Sequence, residues 1–188
     1  MLYNFLKKIN QIRKAWADLY KFNNLQASKK RIVFYAETHA DWAFLDPVIE
    51  SLSTINIDVI RITSDIHDNY LNQNNVYFIG FGGARTYLFR TINVEAFVMT
   101  LTDLNTFYLK RSLNKVHYFY IFHSMSSIHR NYREHAFNSY DTIFCVGQHQ
   151  IDEIRKTETV YNLKKKNLEE HGYGRLDVLI KEYNERKK

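Results

Sequence analysis

Cysteine, proline and glycine are scarce in this 188-residue chain: one Cys, one Pro and six Gly. With Cys145 alone, neither an internal disulfide nor a cysteine-based zinc site can form, and a reducing compartment is the simpler reading. Cys145 lies inside the apolar run Thr142-Ile143-Phe144-Cys145-Val146, where it reads as a small packing residue rather than a nucleophile. Low proline and glycine content excludes collagen-like and low-complexity chains, and no internal repeat is visible. No apolar run approaches the ~20 residues of a membrane span. The N-terminus has no small-residue cleavage site behind an apolar core, so a secretory signal is not expected.

What is present is an ordinary globular composition: 45% hydrophobic, 24% charged and 15% aromatic, enough for one substantial core. Lysine and arginine exceed aspartate and glutamate by 26 to 20, a formal charge of +6. Such a balance favours lipid headgroups, nucleotides, phosphorylated polymers or nucleic acid, and it also describes a plain lysine-rich surface. No RNA-binding sheet motif, zinc finger or basic recognition helix is found, so nucleic acid is not an expected partner.

Leu2, Phe5, Leu6, Ile9, Ile12, Trp16 and Leu19 recur at spacings of three and four, which predicts one apolar face on a helix over residues 1–25. Lys7, Lys8, Arg13, Lys14 and Lys21 fall mostly on its other sides. A basic helix with Trp and Phe on its apolar face suits a membrane interface, and equally packs on its own domain. A polar linker ends this segment at residue 28. Strands are expected at 31–36, 58–63, 76–79, 94–100, 116–122 and 141–146, with a short last one near 168–173. Helices are expected at 42–53, 85–91, 132–139, 148–158 and 177–187, with a helix start near 101–104 and a short helix and turn within 64–75. Pro47 falls early in its helix. Strands alternating with helices imply βαβ units and an α/β fold: a doubly wound, mainly parallel, Rossmann-like sheet over residues 29–180. Residues 181–188 then read as a tail or the start of an interdomain helix.

In such a sheet ligands bind outside the carboxyl ends of the strands. That edge gathers His39 and Asp41; Gly82, Gly83 and Arg85; Asp103; His123, Ser124 and Ser126; and Gly147. An imidazole titrates near neutral pH, so His123, at the end of a buried strand, is the candidate general base; a strand-end histidine also serves as a hydrogen-bonded structural residue. Gly80-Phe81-Gly82-Gly83-Ala84 lies between a strand and a helix, where backbone amides can hold a phosphate, but it is not G-x-G-x-x-G and also fits a tight turn. His39 with Asp41, and His129 with His135, lack metal-site spacing, so no metal is expected. Ser124, Ser126 and Ser127 lack the G-x-S-x-G elbow of a hydrolase. No cofactor is expected.

Three stretches carry a likeness to a known family: Tyr120-Ile121-Phe122-His123-Ser124; Tyr140-Asp141-Thr142-Ile143-Phe144-Cys145-Val146-Gly147, continuing through Gln150 and Glu153; and Gly172-Tyr173-Gly174-Arg175-Leu176-Asp177. Over residues 31–180 the chain resembles the CDP-glycerol glycerophosphotransferases, the teichoic-acid primases and polymerases of GT-B fold. Ser124 stands where the family has Gly, and Gly174 where it has Pro. The resemblance implies two facing Rossmann-like domains, the C-terminal one binding a CDP-linked donor. The N-terminal one receives a phosphate-containing polymer acceptor whose hydroxyl a histidine deprotonates, here His123, with Arg175 in the matching closing motif. It further implies a cytoplasmic protein, peripheral on the inner face of the cell membrane through residues 1–25. The chain is then expected to be the acceptor-side half, with the donor domain outside it. A non-catalytic scaffold docking to membrane or a partner chain, or half of another GT-B glycosyltransferase or epimerase, are the alternatives.

Overall fold

The computed structural model describes residues 2–187, with side chains from residue 5 onward. Seven strands, β1 (Ile32–Ala36), β2 (Ile60–Thr63), β3 (Val76–Phe78), β4 (Ala96–Met99), β5 (His117–Ile121), β6 (Thr142–Cys145) and β7 (Asn167–Glu170), form one sheet. Every neighbouring pair is parallel, in the order β3-β2-β1-β4-β5-β6-β7. The helices are α1 (Leu2–Asn23), α2 (Trp42–Thr54), α3 (Gly83–Thr91), α4 (Ile128–Asn131), α5 (Gln148–Val160) and α6 (Gly174–Arg186). The architecture is α/β, Rossmann-like and doubly wound, preceded by an N-terminal helix.

β1 shows why its sequence lacks polar alternation. Val33 and Tyr35 point into a core shared with α1, α3 and α5, while Phe34 and Ala36 point into a second core under Trp42, Leu45 and Ile49 of α2. Side chains alternate across the sheet, and helices cover both faces of this strand, so every position is apolar.

α1 divides its work. Its carboxyl half packs Ala15, Leu19 and Phe22 into the first core, against β3 and α3. The stripe is not the one the spacing predicts: Leu2 lies outside the described side chains, and of the other expected apolar positions only Leu19 is fully buried, while Phe5, Leu6, Ile12 and Trp16 stay exposed. The amide of Phe78 on edge strand β3 donates to Asp18 Oδ2 at 3.3 Å, and that carboxylate also takes Lys14 at 2.8 Å and Lys21 at 3.1 Å. The helix thereby covers an edge that would otherwise offer a free N–H.

Three local expectations need correction. The predicted 132–139 helix is replaced by the single turn of α4 followed by turns, because Tyr132 is extended and His135 sits at φ +70°, outside helical space. No helix starts at 101–104: Asp103 and Asn105 both have positive φ. The connection from β4 to β5 is instead an irregular loop pinned by Arg111, which donates to Asp141 Oδ2 at 2.8 Å, to Ser139 O at 2.9 Å and to Val116 O at 3.2 Å. Pro47 falls in the second turn of α2, past the positions where an N–H has no helical partner. α6 begins at Gly174, packs on α2, and buries none of its side chains.

Candidate functional site

The strand order reverses between β1 and β4, so the loops that leave these strands splay apart and open a crevice at the carboxyl edge. On one side of it Glu37 follows β1, and Arg85 of α3 donates to its Oε1 at 2.7 Å and to Tyr35 Oη at 3.3 Å. The guanidinium also lies over the Phe81 ring at 4.8 Å. Arg85 is therefore held by a carboxylate through Nη1, and its buried Nε lacks a hydrogen-bond partner. His39 places both its backbone N–H (3.2 Å) and its ring Nδ1 (2.7 Å) on Asp65 Oδ2. Burial opposes ionisation of Asp65, but these bonds and the His67 amide hold its carboxyl below the usual carboxylate range. Asp41 caps the turn that starts at Thr38, accepting the Thr38 amide at 2.9 Å. Gly82 and Gly83 open α3, and Trp16 reaches within 3.5 Å of where a Gly83 Cβ would stand. Those glycines, with Trp16, Ile66, Phe81 and Lys8, line a groove of about 490 Å³ between α1 and the loops after β2 and β3.

On the other side, β5 ends at Ile121 and delivers His123, a half-buried residue walled by aromatic rings. Phe44 of α2 meets the imidazole edge-on at 5.9 Å, and Tyr132 does so from the opposite element at 5.9 Å. Tyr120 Oη lies 3.3 Å from His123 Nδ1. Tyr173 donates from its hydroxyl to the His123 carbonyl at 3.3 Å and packs on Phe44 at 5.9 Å, and Arg175 lies over the Phe44 ring at 5.6 Å. Burial pushes the His123 imidazole below the ordinary histidine value of 6.5, partly offset by the negative charge of Asp41. A partly desolvated, neutral imidazole at the carboxyl edge of the sheet has the properties of a proton acceptor.

The loop after β5 is fixed from α5. Gln150, fully buried, donates through Nε2 to Ser124 O at 2.9 Å and Ser126 O at 3.3 Å, while its Oε1 accepts the Val146 amide at 2.9 Å. Glu153 Oε2 accepts the Ile128 amide at 2.6 Å. Ser124 and Ser126 spend their hydroxyls on each other at 2.6 Å, and Asn131 donates to Ser126. Gly147 is the residue before α5, in extended backbone that any residue adopts.

The fold thus brings the charge of Asp41 near His123, sets Arg175 over the Phe44 ring that touches His123, and puts Ser124 and Ser126 next to it in the chain. Gly82, Gly83, Arg85 and His39 sit across the crevice with their own partners. Asp103 belongs to the β4–β5 loop, its amide bonded to Ala136 O at 3.0 Å. Sequence reasoning missed Phe44, Tyr120, Tyr132, Tyr173 and Gln150 as parts of the site. Tyr120 was recoverable, since a residue three before a strand-end turn can fold back on it; Phe44, Tyr132 and Tyr173 meet His123, and Gln150 meets the loop after it, only through tertiary packing. Among the described residues no three of His, Cys, Asp or Glu converge as a metal site. Against protein-family models, curated proteins and solved structures the chain finds no match, so the site is read from its own geometry.

Proposed function

We propose that this chain is the acceptor-side domain of a transferase of the CDP-glycerol glycerophosphotransferase type. The observation that carries the reading is the meeting of two sequence-distant motifs: Tyr173 and Arg175 close on His123 around Phe44. An acceptor hydroxyl on a phosphate-containing polymer enters the recess and loses its proton to His123 as its oxygen bonds the β-phosphorus of a CDP-alcohol. The bridging P–O bond breaks and CMP leaves with the bridging oxygen. The charge of Asp41 favours the imidazolium that results, and Arg175 offers a cation for the acceptor's phosphates. The donor is held by a facing domain.

The test is CMP release from CDP-glycerol by this chain together with a donor-binding domain, wild type against His123→Gln. The expected result is a loss of about a hundredfold or more, the usual size of a general-base contribution. Equal release by the variant removes His123 from the role, and no acceptor-dependent release from wild type defeats the transferase reading.

The same reading seats the protein on an anionic membrane surface through α1. No described helix is long and apolar enough to cross a membrane. The exposed Phe5, Leu6, Ile12 and Trp16 lie on the same helix as Lys7, Lys8, Arg13 and Lys14, and the first acidic residue of the chain is Asp18. Apolar rings with flanking cations suit a headgroup boundary. Because Leu19 and Phe22 belong to the core, point substitution is preferable to deletion. Replacing Phe5, Leu6 and Trp16 with Gln abolishes co-sedimentation with anionic liposomes, and undiminished binding refutes the contact.

A further inference from the structure

A separate cavity of about 240 Å³ lies between α5 and the turns that follow α4. Of the residues around His123 only Tyr132 borders it. Its floor is apolar, made by the buried Ile128, Ala136, Phe137 and Ile154. Lys166, the residue before β7, borders the same cavity, and its side chain is only 7% exposed.

A lysine so deep is rare unless its ammonium is paired. Among the described residues Lys166 Nζ makes no hydrogen bond, and the nearest carboxylate oxygen, Glu158 Oε1, is 4.0 Å away. That carboxylate is already committed. Its Oε1 accepts the Lys166 amide at 2.8 Å, and its Oε2 takes Arg155 at 2.6 Å. Burial pulls the Lys166 ammonium below the usual lysine range, with Glu158 and Asp141 opposing and Arg155 adding to the fall. The charge has lost water and gained little in return. An ammonium carries three N–H donors and no acceptor, so only an acceptor atom can satisfy it.

The rim adds charge of the same sign. Arg133 and His129 are exposed, border the cavity, and use no side-chain nitrogen in a hydrogen bond. The other carboxylate of the lining, Glu134, is exposed and lies 3.4 Å from His135 Nε2.

We propose that this cavity binds a small phosphate monoester, its phosphate on Lys166 and Arg133 and its short carbon part on the apolar floor. The volume falls below the roughly 300–1,000 Å³ of ordinary ligand pockets, so the occupant is small. A phosphate suits the site better than a carboxylate, because its three terminal oxygens can take donors that come from different elements. The site is separate from the crevice and does not depend on the transferase reading.

The test is an amide NMR titration of the full chain with ethyl phosphate, with acetate and chloride as parallel arms at equal ionic strength. Ethyl phosphate is expected to shift the amides of residues 128–138, 154–161 and 166 saturably, at concentrations where acetate and chloride do not. Lys166→Met keeps the length of the buried stem and removes the donor, and should weaken binding about tenfold or more. Arg133→Gln, at an exposed position, should weaken it as well. No saturable shift, acetate binding as tightly, or undiminished affinity in either folded variant overturns the proposal. If Lys166→Met does not fold, Arg133→Gln and the wild-type map decide. Shifts confined to the surroundings of His123 overturn this site and leave the transferase reading standing.

Discussion

A Cβ on Gly174 would stand 2.7 Å from Cγ and 2.9 Å from Cβ of Pro47, so α6 begins with its bare backbone against a proline ring of α2. The position tolerates no side chain without a shift, because a pyrrolidine ring cannot swing away as a lysine or methionine tip can. Pro47 costs α2 a hydrogen bond, and its ring is what receives Gly174. The contact stands beside the recess, since Tyr173 precedes Gly174 and reaches both Phe44 and the carbonyl of His123.

Gly174→Ala is therefore expected to lift α6 from α2. Overpacking of this kind costs about 1–3 kcal/mol in a rigid core. Here the loss is capped by what α6 docking contributes, and no α6 side chain is buried. The expected outcome is faster amide exchange across residues 174–186 with the sheet amides unchanged, and a weakened Tyr173 contact. Unaltered exchange in α6 contradicts the tight seat.

Gln150 is the second test of how the site is held. Its side chain joins three backbone groups from two loops, and a leucine of similar size leaves two carbonyls and one amide without it. Abandoned buried backbone groups cost about 1–3 kcal/mol each, less where water can enter. Gln150→Leu should lower stability by about 2 kcal/mol or more in chemical denaturation and loosen Ser124 and Ser126. A midpoint within error of wild type would show that water already serves these groups.

The α/β class and the places of β1 to β6 were legible because apolar runs bounded by polar loops are a local signal; β7, Asn167-Leu168-Glu169-Glu170, has no such run and ends short of the expected 168–173. The long irregular passage from β4 to β5 was not, since Arg111 finds Asp141 thirty residues later and nothing near Arg111 announces it. His123 could be picked out as a histidine at a strand end, and Arg175 by motif. Their aromatic setting could not: Phe44 sits in a helix whose periodicity says only that part of it is buried. The apolar face of α1 was misassigned for a similar reason, because the helix periodicity cannot tell a stripe that meets the sheet, such as Ala15, Leu19 and Phe22, from one left exposed.

The Arg111–Asp141 pair gives an acid-side prediction. Burial opposes ionisation of Asp141, but the Arg111 guanidinium and the Tyr118 amide together hold its carboxyl below the ordinary value of 3.8. The unfolded chain thus binds this proton first as pH falls. The stability the pair supplies is whole above the unfolded value and disappears as pH drops through the lower native one. Asp141→Asn should cost about 1–3 kcal/mol at neutral pH, by weakening the anchor of the β4–β5 loop. It should also flatten the acid limb of the stability curve below about pH 4. An unchanged acid limb would assign that loss to other carboxylates, Asp18 and Asp65 foremost, which are held low in the same way.

His123 gives the opposite end of the same argument, nearer neutrality. Burial lowers its imidazole below 6.5 with Asp41 opposing, and burial lowers His171 likewise with the Cys145 carbonyl opposing. As pH falls below the ordinary value, the unfolded chain takes up protons that the native protein refuses, so the folded state loses ground. The loss ends once pH has passed the lower native value and both states are protonated. Each histidine contributes less than about 1 kcal/mol, because the rings are only partly buried and solvent screens the charge. Denaturation midpoints measured at about pH 8 and about pH 5 should fall further for wild type than for His123→Gln, which has no proton to refuse. Parallel curves would mean that the imidazole is as well hydrated in the recess as in the unfolded chain, and a base in that condition would gain nothing from its aromatic walls.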